Sequence, residues 1–180
     1  MKVNAARLCH IDILFYNKNN MDAIAKPKES KILRLIKIAK SLVGRPYKYG
    51  AKMEDAPRFF DCSLFTQYVF KQVGVRLPRT AIEQAMTGKK IALNKIKEGD
   101  IIFLKGEIGR YNKYFPAGIG HEGIYIGGGK VIHASRKRIS GRYEDVYRPE
   151  LIKEIGKVVV EDLNKFIKRN KPLVVIKRHV

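Results

Sequence analysis

The chain has 180 residues, 45% hydrophobic and 30% charged, which suits one soluble globular domain with its own core and excludes both a disordered chain and two full-sized domains. Thirty-seven Lys plus Arg face seventeen Asp plus Glu, a formal charge of +20, so the chain attracts anionic polymers without selecting among wall polymer, membrane and nucleic acid. Its two cysteines, Cys9 and Cys62, lie in no CxxC or CxxH cluster and exclude a disulfide framework, and no apolar run approaches the ~18 residues of a membrane span.

Residues 1–28 read as an N-terminal extension, with a short strand over Ile11 to Tyr16 and a turn over Asn17 to Asn20. Cys9 and His10 are adjacent and point in different directions from an extended backbone, so no metal or catalytic role is expected there. Ile13 to Tyr16 is too short for a signal-peptide core and no small-residue cleavage site follows. As written, the chain is expected in the cytoplasm unless it is exported by another route or starts at Met21.

Residues 29–180 read as the functional domain. Ser30 is a good N-cap, and Ile32, Leu33, Ile36, Ala39 and Val43 recur at helical spacing up to Gly44, with Pro46 beyond. The following segment carries Tyr47 and Tyr49. A second helix begins at Asp61 to Ser63 with Leu64, Phe65, Tyr68, Val69 and Val73 as its apolar stripe. A third is announced by Pro78 and a capping box, Thr80 with Glu83, and ends near Gly88. Strands follow at Ile101 to Leu104, Gly120 to Ile126, Lys130 to Ala134, Val158 to Val160 and Leu173 to Lys177, with a helix over 162–169 and a Gly- and Tyr-rich basic loop over 105–119. Helices first and strands afterwards make an α+β fold with N-terminal helices on a central antiparallel sheet.

Cys62 stands at the mouth of the second helix, where backbone N–H groups and the helix dipole favour a thiolate and lower a thiol pKa. A small buried hydrophobe is the alternative. His121 opens one arm of the hairpin and His133 nearly closes the other. A two-residue turn would send these histidines to opposite faces, whereas a three-residue turn at Gly127 to Gly129 sets His133 opposite Gly123 and on the face of His121. Three glycines permit that turn, which is the one expected. A thiol at a helix N-terminus, an imidazole as its base and a second polar group on the other ring nitrogen are the parts of a thiol hydrolase. Zinc held by one thiolate and two imidazoles is the rival use, disfavoured by scattered ligands and no fourth.

Tyr47-x-Tyr49-Gly50, Asp61-Cys62-Ser63, Leu77-Pro78-Arg79-Thr80, Gly99-Asp100-Ile101-Ile102-Phe103, Gly120-His121-x-Gly123-Ile124-Tyr125-Ile126-Gly127 and Ile132-His133-Ala134 together resemble, in order and spacing, the NlpC/P60 cysteine peptidases over roughly residues 30–135. The resemblance implies a papain-like α+β fold, no cofactor and no metal, and cleavage of cell-wall peptides next to a D-amino acid such as γ-D-glutamyl. By position it implies Cys62 as nucleophile, His121 as base, His133 as its orienting partner, and Tyr47 near the nucleophile. It also implies that Asp61 and Ser63 hold the free amine of the substrate. The chain departs from the family where Leu64 replaces a glycine, expected to crowd the helix mouth. It departs again where Glu122 replaces an apolar residue, as a wetter strand face would allow.

The expectation is therefore a monomeric cysteine-dependent peptidase or amidase, working through a Cys-His-His acyl-enzyme on a peptide or cell-wall peptide. It is expected to bind anionic polymers without specificity, to read no specific nucleic acid and to have no transmembrane segment. Two alternatives are an acyl or amide transferase on the same fold and a basic polyanion-binding module with an idle site.

Overall fold

The fold is that of a computed structural model, which describes residues 29–105, 110–136, 156–170 and 172–180. The extension with Cys9 and His10, and part of the 105–119 loop, lie outside the described residues.

Helix α1 runs Lys31–Ser41, with the Ser30 hydroxyl accepting the Leu33 N–H at 3.1 Å and Leu35, Ile36 and Ala39 buried. It ends at Ser41 with Leu42 as its C-cap, two residues before Val43, the last of the expected apolar positions, and the chain turns at Gly44 to reach the sheet. Gly44 has φ +88°, and its N–H bonds to the Val158 carbonyl at 2.9 Å. Helix α2 runs Cys62–Lys71 and helix α3 Ala81–Met86, the latter closed by the expected Thr80–Glu83 capping box.

The strands are β1 Lys89–Ile91, β2 Ile101–Leu104, β3 His121–Tyr125, β4 Lys130–Ser135, β5 Lys157–Asp162 and β6 Leu173–Arg178, with helix α4 Leu163–Asn170 between the last two. They form one antiparallel sheet in the order β1-β6-β2-β3-β4-β5. β1 was not expected from its residues. Lys89-Lys90-Ile91 shows no alternation, and the segment becomes a strand through its pairing with Ile176 to Arg178 at the sheet edge, where lysines are favoured.

Both faces of the sheet are covered. Leu64, Phe65 and Val69 of α2 share one core with Leu35 and Ala39 of α1 and with Ile101, Phe103, Ile124 and Ile132 of the strands. On the other face Phe166 of α4 packs with Ile102, Leu104, Val131 and Ile176. Double coverage explains why Ile101 to Leu104 is apolar throughout instead of alternating.

Two details of the ladder position the site. Ile124 opposes Ile132 and Tyr125 opposes Val131, with the Ile126 N–H on the Lys130 carbonyl, so the turn is Gly127 to Gly129, all three at positive φ. The odd loop required by the parity argument is the one found. β3 and β4 then stop pairing beyond Ile124 and Ile132, while β3 stays on β2 as far as His121 and β4 stays on β5 as far as Ser135. The sheet opens between the two histidine-bearing arms.

Candidate active site

Cys62 is the first residue of α2, and the cap beneath it is Asp61, whose carboxylate accepts the Leu64 N–H at 2.8 Å. The other carboxylate oxygen pairs with Arg79, whose guanidinium also donates to Ser63 Oγ at 2.8 Å and to the Ala51 carbonyl. Gln84 closes the same corner by donating to the carbonyls of Ser63 at 3.0 Å and Pro78 at 2.9 Å. Asp61 and Ser63 are thus buried and tied to Arg79. The sequence reading gave both to a substrate amine; in the fold their oxygens serve the helix mouth, and the cation beside them belongs to the protein. Leu64 does not crowd the mouth, because its side chain turns fully into the core.

Tyr47 is held between two segments: its N–H bonds to the Gly156 carbonyl next to β5, and its backbone bridges to Phe60, just before the cap. Burial raises its phenol pKa far above the ordinary value, and Cys62 and Asp61 push the same way. The hydroxyl therefore stays protonated beside the thiol.

The thiol itself departs from expectation. Burial pushes the Cys62 pKa well above its ordinary value, and the Glu122 and Asp61 carboxylates add to the rise. The Ser63 backbone N–H and Arg79 pull it down and are outweighed. A helix N-terminus is a partial charge, and here desolvation exceeds it.

His121 and His133 meet, with His121 Nε2 2.9 Å from His133 Nδ1 and ring centroids 5.0 Å apart at 82°. Phe166 lies against both rings, at 5.6 and 4.7 Å. Gly123 makes room for this: a Cβ there would stand 2.6 Å from Val131 Cγ1, 3.0 Å from Phe166 and 3.1 Å from His133 Cβ. Alternation places Glu122 on the α2 side of the sheet and the imidazoles on the Phe166 side. Behind His133, Glu161 of β5 sets Oε2 3.3 Å from Nε2.

Sequence reasoning missed Arg79, Glu161 and the true setting of Glu122. Arg79 lay within a quoted motif without a partner to give it meaning. Glu161 carries one weak signal, an acid closing the run Val158-Val159-Val160. Glu122 faces no water at all: it is 0% exposed, and neither carboxyl oxygen makes a hydrogen bond of normal geometry. Thr66, its neighbour on α2, gives its hydroxyl to the Cys62 carbonyl at 3.3 Å.

Burial pushes the Glu122 pKa up to about 8, so the folded chain holds a proton that the unfolded chain loses near the ordinary carboxylate value. Stability is then full at low pH and falls as pH rises toward 8. Glu122→Gln, which cannot ionise, is expected to flatten that fall and to gain roughly 3 kcal/mol over the parent at pH 7. Urea unfolding at pH 5, 7 and 8.5 measures it; a parent with no slope over this range overturns the assignment.

Among the described residues no three of His, Cys, Asp or Glu are grouped to hold a metal ion, and no helix is long and apolar enough to cross a membrane.

Comparison with known proteins bears on the family and the fold. The family model described as the NlpC/P60 family matches residues 44–160. A γ-DL-glutamyl hydrolase of Bacillus subtilis is 36% identical over 121 residues, 65% of this chain and 27% of that protein. A probable endopeptidase p60 of Listeria grayi is 39% identical over 102 residues, 57% of this chain and 18% of its own length. The chain thus spans about a quarter or less of these two curated relatives. Among solved structures, the peptidoglycan hydrolase RipB of Mycobacterium tuberculosis superposes with a TM-score of 0.55 at 26% identity, covering 82% of this chain and 64% of that one.

Proposed function

The chain belongs to the NlpC/P60 family, and on that premise we propose that it is a cysteine peptidase cleaving peptidoglycan-type wall peptides through Cys62, His121 and His133. The observation that carries this reading is the imidazole pair, 2.9 Å apart, at the open end of the β3–β4 ladder, on the strands against which α2 packs. The preference for a bond beside a D-amino acid is supported by relatives named as a γ-DL-glutamyl hydrolase and endopeptidases.

In the proposed cycle the thiol gives its proton to His121 Nδ1 as sulfur attacks the carbonyl carbon. A backbone N–H at the α2 mouth, with the protonated Tyr47 phenol, receives the oxyanion. The C–N bond breaks, the leaving amine takes the proton from His121, and a thioester remains. Water, deprotonated by His121, then hydrolyses the thioester and restores the thiol. The raised thiol pKa favours a neutral thiol and imidazole at rest, so proton transfer accompanies attack. His133 steadies His121 throughout. Asp61 and Ser63 act here by fastening the helix mouth to Arg79, and a substrate amine would share the Asp61 carboxylate with that guanidinium.

We assign the chemistry to residues 29–180, with 1–28 outside it. The +20 charge of the whole chain holds it near anionic wall polymers without selecting the bond.

The test is incubation with purified wall peptides and mass analysis of products, with and without a small amine acceptor. The expected result is a single cut beside a D-residue, with water as the acceptor. Products that carry the amine in preference to water convert the reading to a transferase. No cleavage, with wall polymer still bound, converts it to a binding module.

A further inference from the structure

The ring contact between His121 and His133 leaves one question of chemistry: which ring donates. A neutral imidazole carries a single N–H, so a pair of them has two opposite arrangements. In one, His121 donates from Nε2 and keeps a lone pair on Nδ1. In the other, His133 donates from Nδ1, and the single proton of His121 sits on Nδ1, where it destroys the base. The imidazole pair alone does not choose between them.

β5 supplies the choice. Glu161 opposes Val131, and His133 opposes Val159, so Glu161 is the diagonal same-face neighbour of His133, two residues along the ladder. Its Oε2 lies 3.3 Å from His133 Nε2, with the imidazole side chain 1% and the carboxylate side chain 12% exposed. The two atoms are within ion-pair distance but are not aligned as a hydrogen bond; a carboxylate oxygen offers only lone pairs and negative charge, so its place beside Nε2 favours the tautomer of His133 that carries its proton there. His133 Nδ1 then carries a lone pair, and the 2.9 Å contact is made by the His121 Nε2–H.

We propose that Glu161 is a positioning residue that sets the tautomer of His133, and through it that of His121, so that His121 presents a basic Nδ1 to the Cys62 thiol. This rests on the reading of Cys62 and His121 as the reacting pair. Its effect is transmitted through two rings, each packed on Phe166, which holds their planes while the protons are ordered. When His121 takes the thiol proton, the Glu161 charge also favours the resulting imidazolium, with no proton passing to Glu161 itself.

Imidazole ¹⁵N spectra of the whole chain test this directly, because they report which ring nitrogen is protonated whether or not the protein cleaves anything. The expected pattern is His133 protonated at Nε2 and His121 at Nε2, lost in Glu161→Ala and kept in Glu161→Gln, whose amide oxygen still accepts. On a cleaved peptide, Glu161→Ala is expected to lower kcat by about 10- to 100-fold with KM within about twofold, and to move the acidic limb of the pH profile to lower pH. Glu161→Gln is expected to regain most of kcat while keeping the shifted limb, since it restores the tautomer without the charge. A wild-type spectrum with His133 protonated at Nδ1, or an unchanged tautomer pattern in a folded Glu161→Ala protein, overturns the proposal. If Glu161→Ala does not fold, Glu161→Gln decides: an unshifted acidic limb or a changed tautomer pattern overturns it. Expected tautomers in a protein that cleaves no peptide leave the ordering role of Glu161 standing and remove only the peptidase reading.

Discussion

Cys62→Ala is expected to lower kcat/KM on a wall peptide by about 10⁴- to 10⁶-fold, because without the sulfur no acyl-enzyme forms and only binding and oxyanion contacts remain. Stability should change little, within about 1 kcal/mol, since Cys62 is the first residue of α2, the thiol is small, and the cap is held by the Asp61 carboxylate and the Leu64 N–H, not by sulfur. His121→Ala should cost a similar factor, and the double variant little more, as for groups that act as one unit. Steady-state kinetics with urea unfolding of each variant measures this. A Cys62→Ala protein cutting within tenfold of the parent removes the mechanism. The raised thiol pKa adds a signature in the parent: alkylation of the free protein should be slow at neutral pH and accelerate as pH rises.

The second large effect is on the support of that thiol. Arg79→Met takes the guanidinium from Asp61, Ser63 Oγ and the Ala51 carbonyl together. Asp61 is left 7% exposed with a charge and no cation beside it. Breaking a fully buried pair costs about 3–5 kcal/mol; the Arg79 side chain is 37% exposed, so about 2–4 kcal/mol is expected, read as a lowered urea midpoint. Activity should fall as well, because Asp61 also fixes the first turn of α2. Arg79→Met combined with Asp61→Asn should recover part of the stability, since the stranded charge is gone. Arg79→Lys should recover little, because an ammonium cannot reach three oxygens in the fork geometry. An Arg79→Met protein as stable as its parent would show that Asp61 finds solvent readily.

Much of this arrangement was legible before any coordinates. Caps and apolar spacing are local, so Ser30, Asp61 and Thr80 announced three helices at nearly their true starts. The parity of the hairpin was also legible, because Gly127 to Gly129 offered only one loop length that brings His121 and His133 to one face. What escaped depends on partners far away in the chain. Lys89 to Ile91 becomes a strand through β6, Arg79 acquires meaning from Asp61, and Glu161 from His133. Two readings failed because a local rule met a stronger term. The helix dipole at Cys62 is outweighed by desolvation, and the acid at Glu122, read as a mark of a wet face, lies in the dry core beneath α2.

The strand order has a consequence for how the molecule is assembled. β6 lies inside the sheet, between β1 and β2, although it follows both in the chain. Until it arrives, β1 has no neighbour and Ile101-Ile102-Phe103-Leu104 offers an open hydrogen-bonding edge, four apolar residues that are fully buried in the finished fold. Such an edge templates pairing between nascent chains. The hairpin and its glycine turn form from near neighbours, whereas closure at β6 requires a long loop and is slow. The histidine pair can thus take shape early, and the sticky interval falls at the other side of the sheet. The lysines of β1, Lys89 and Lys90, are already present in that interval and repel like copies of themselves.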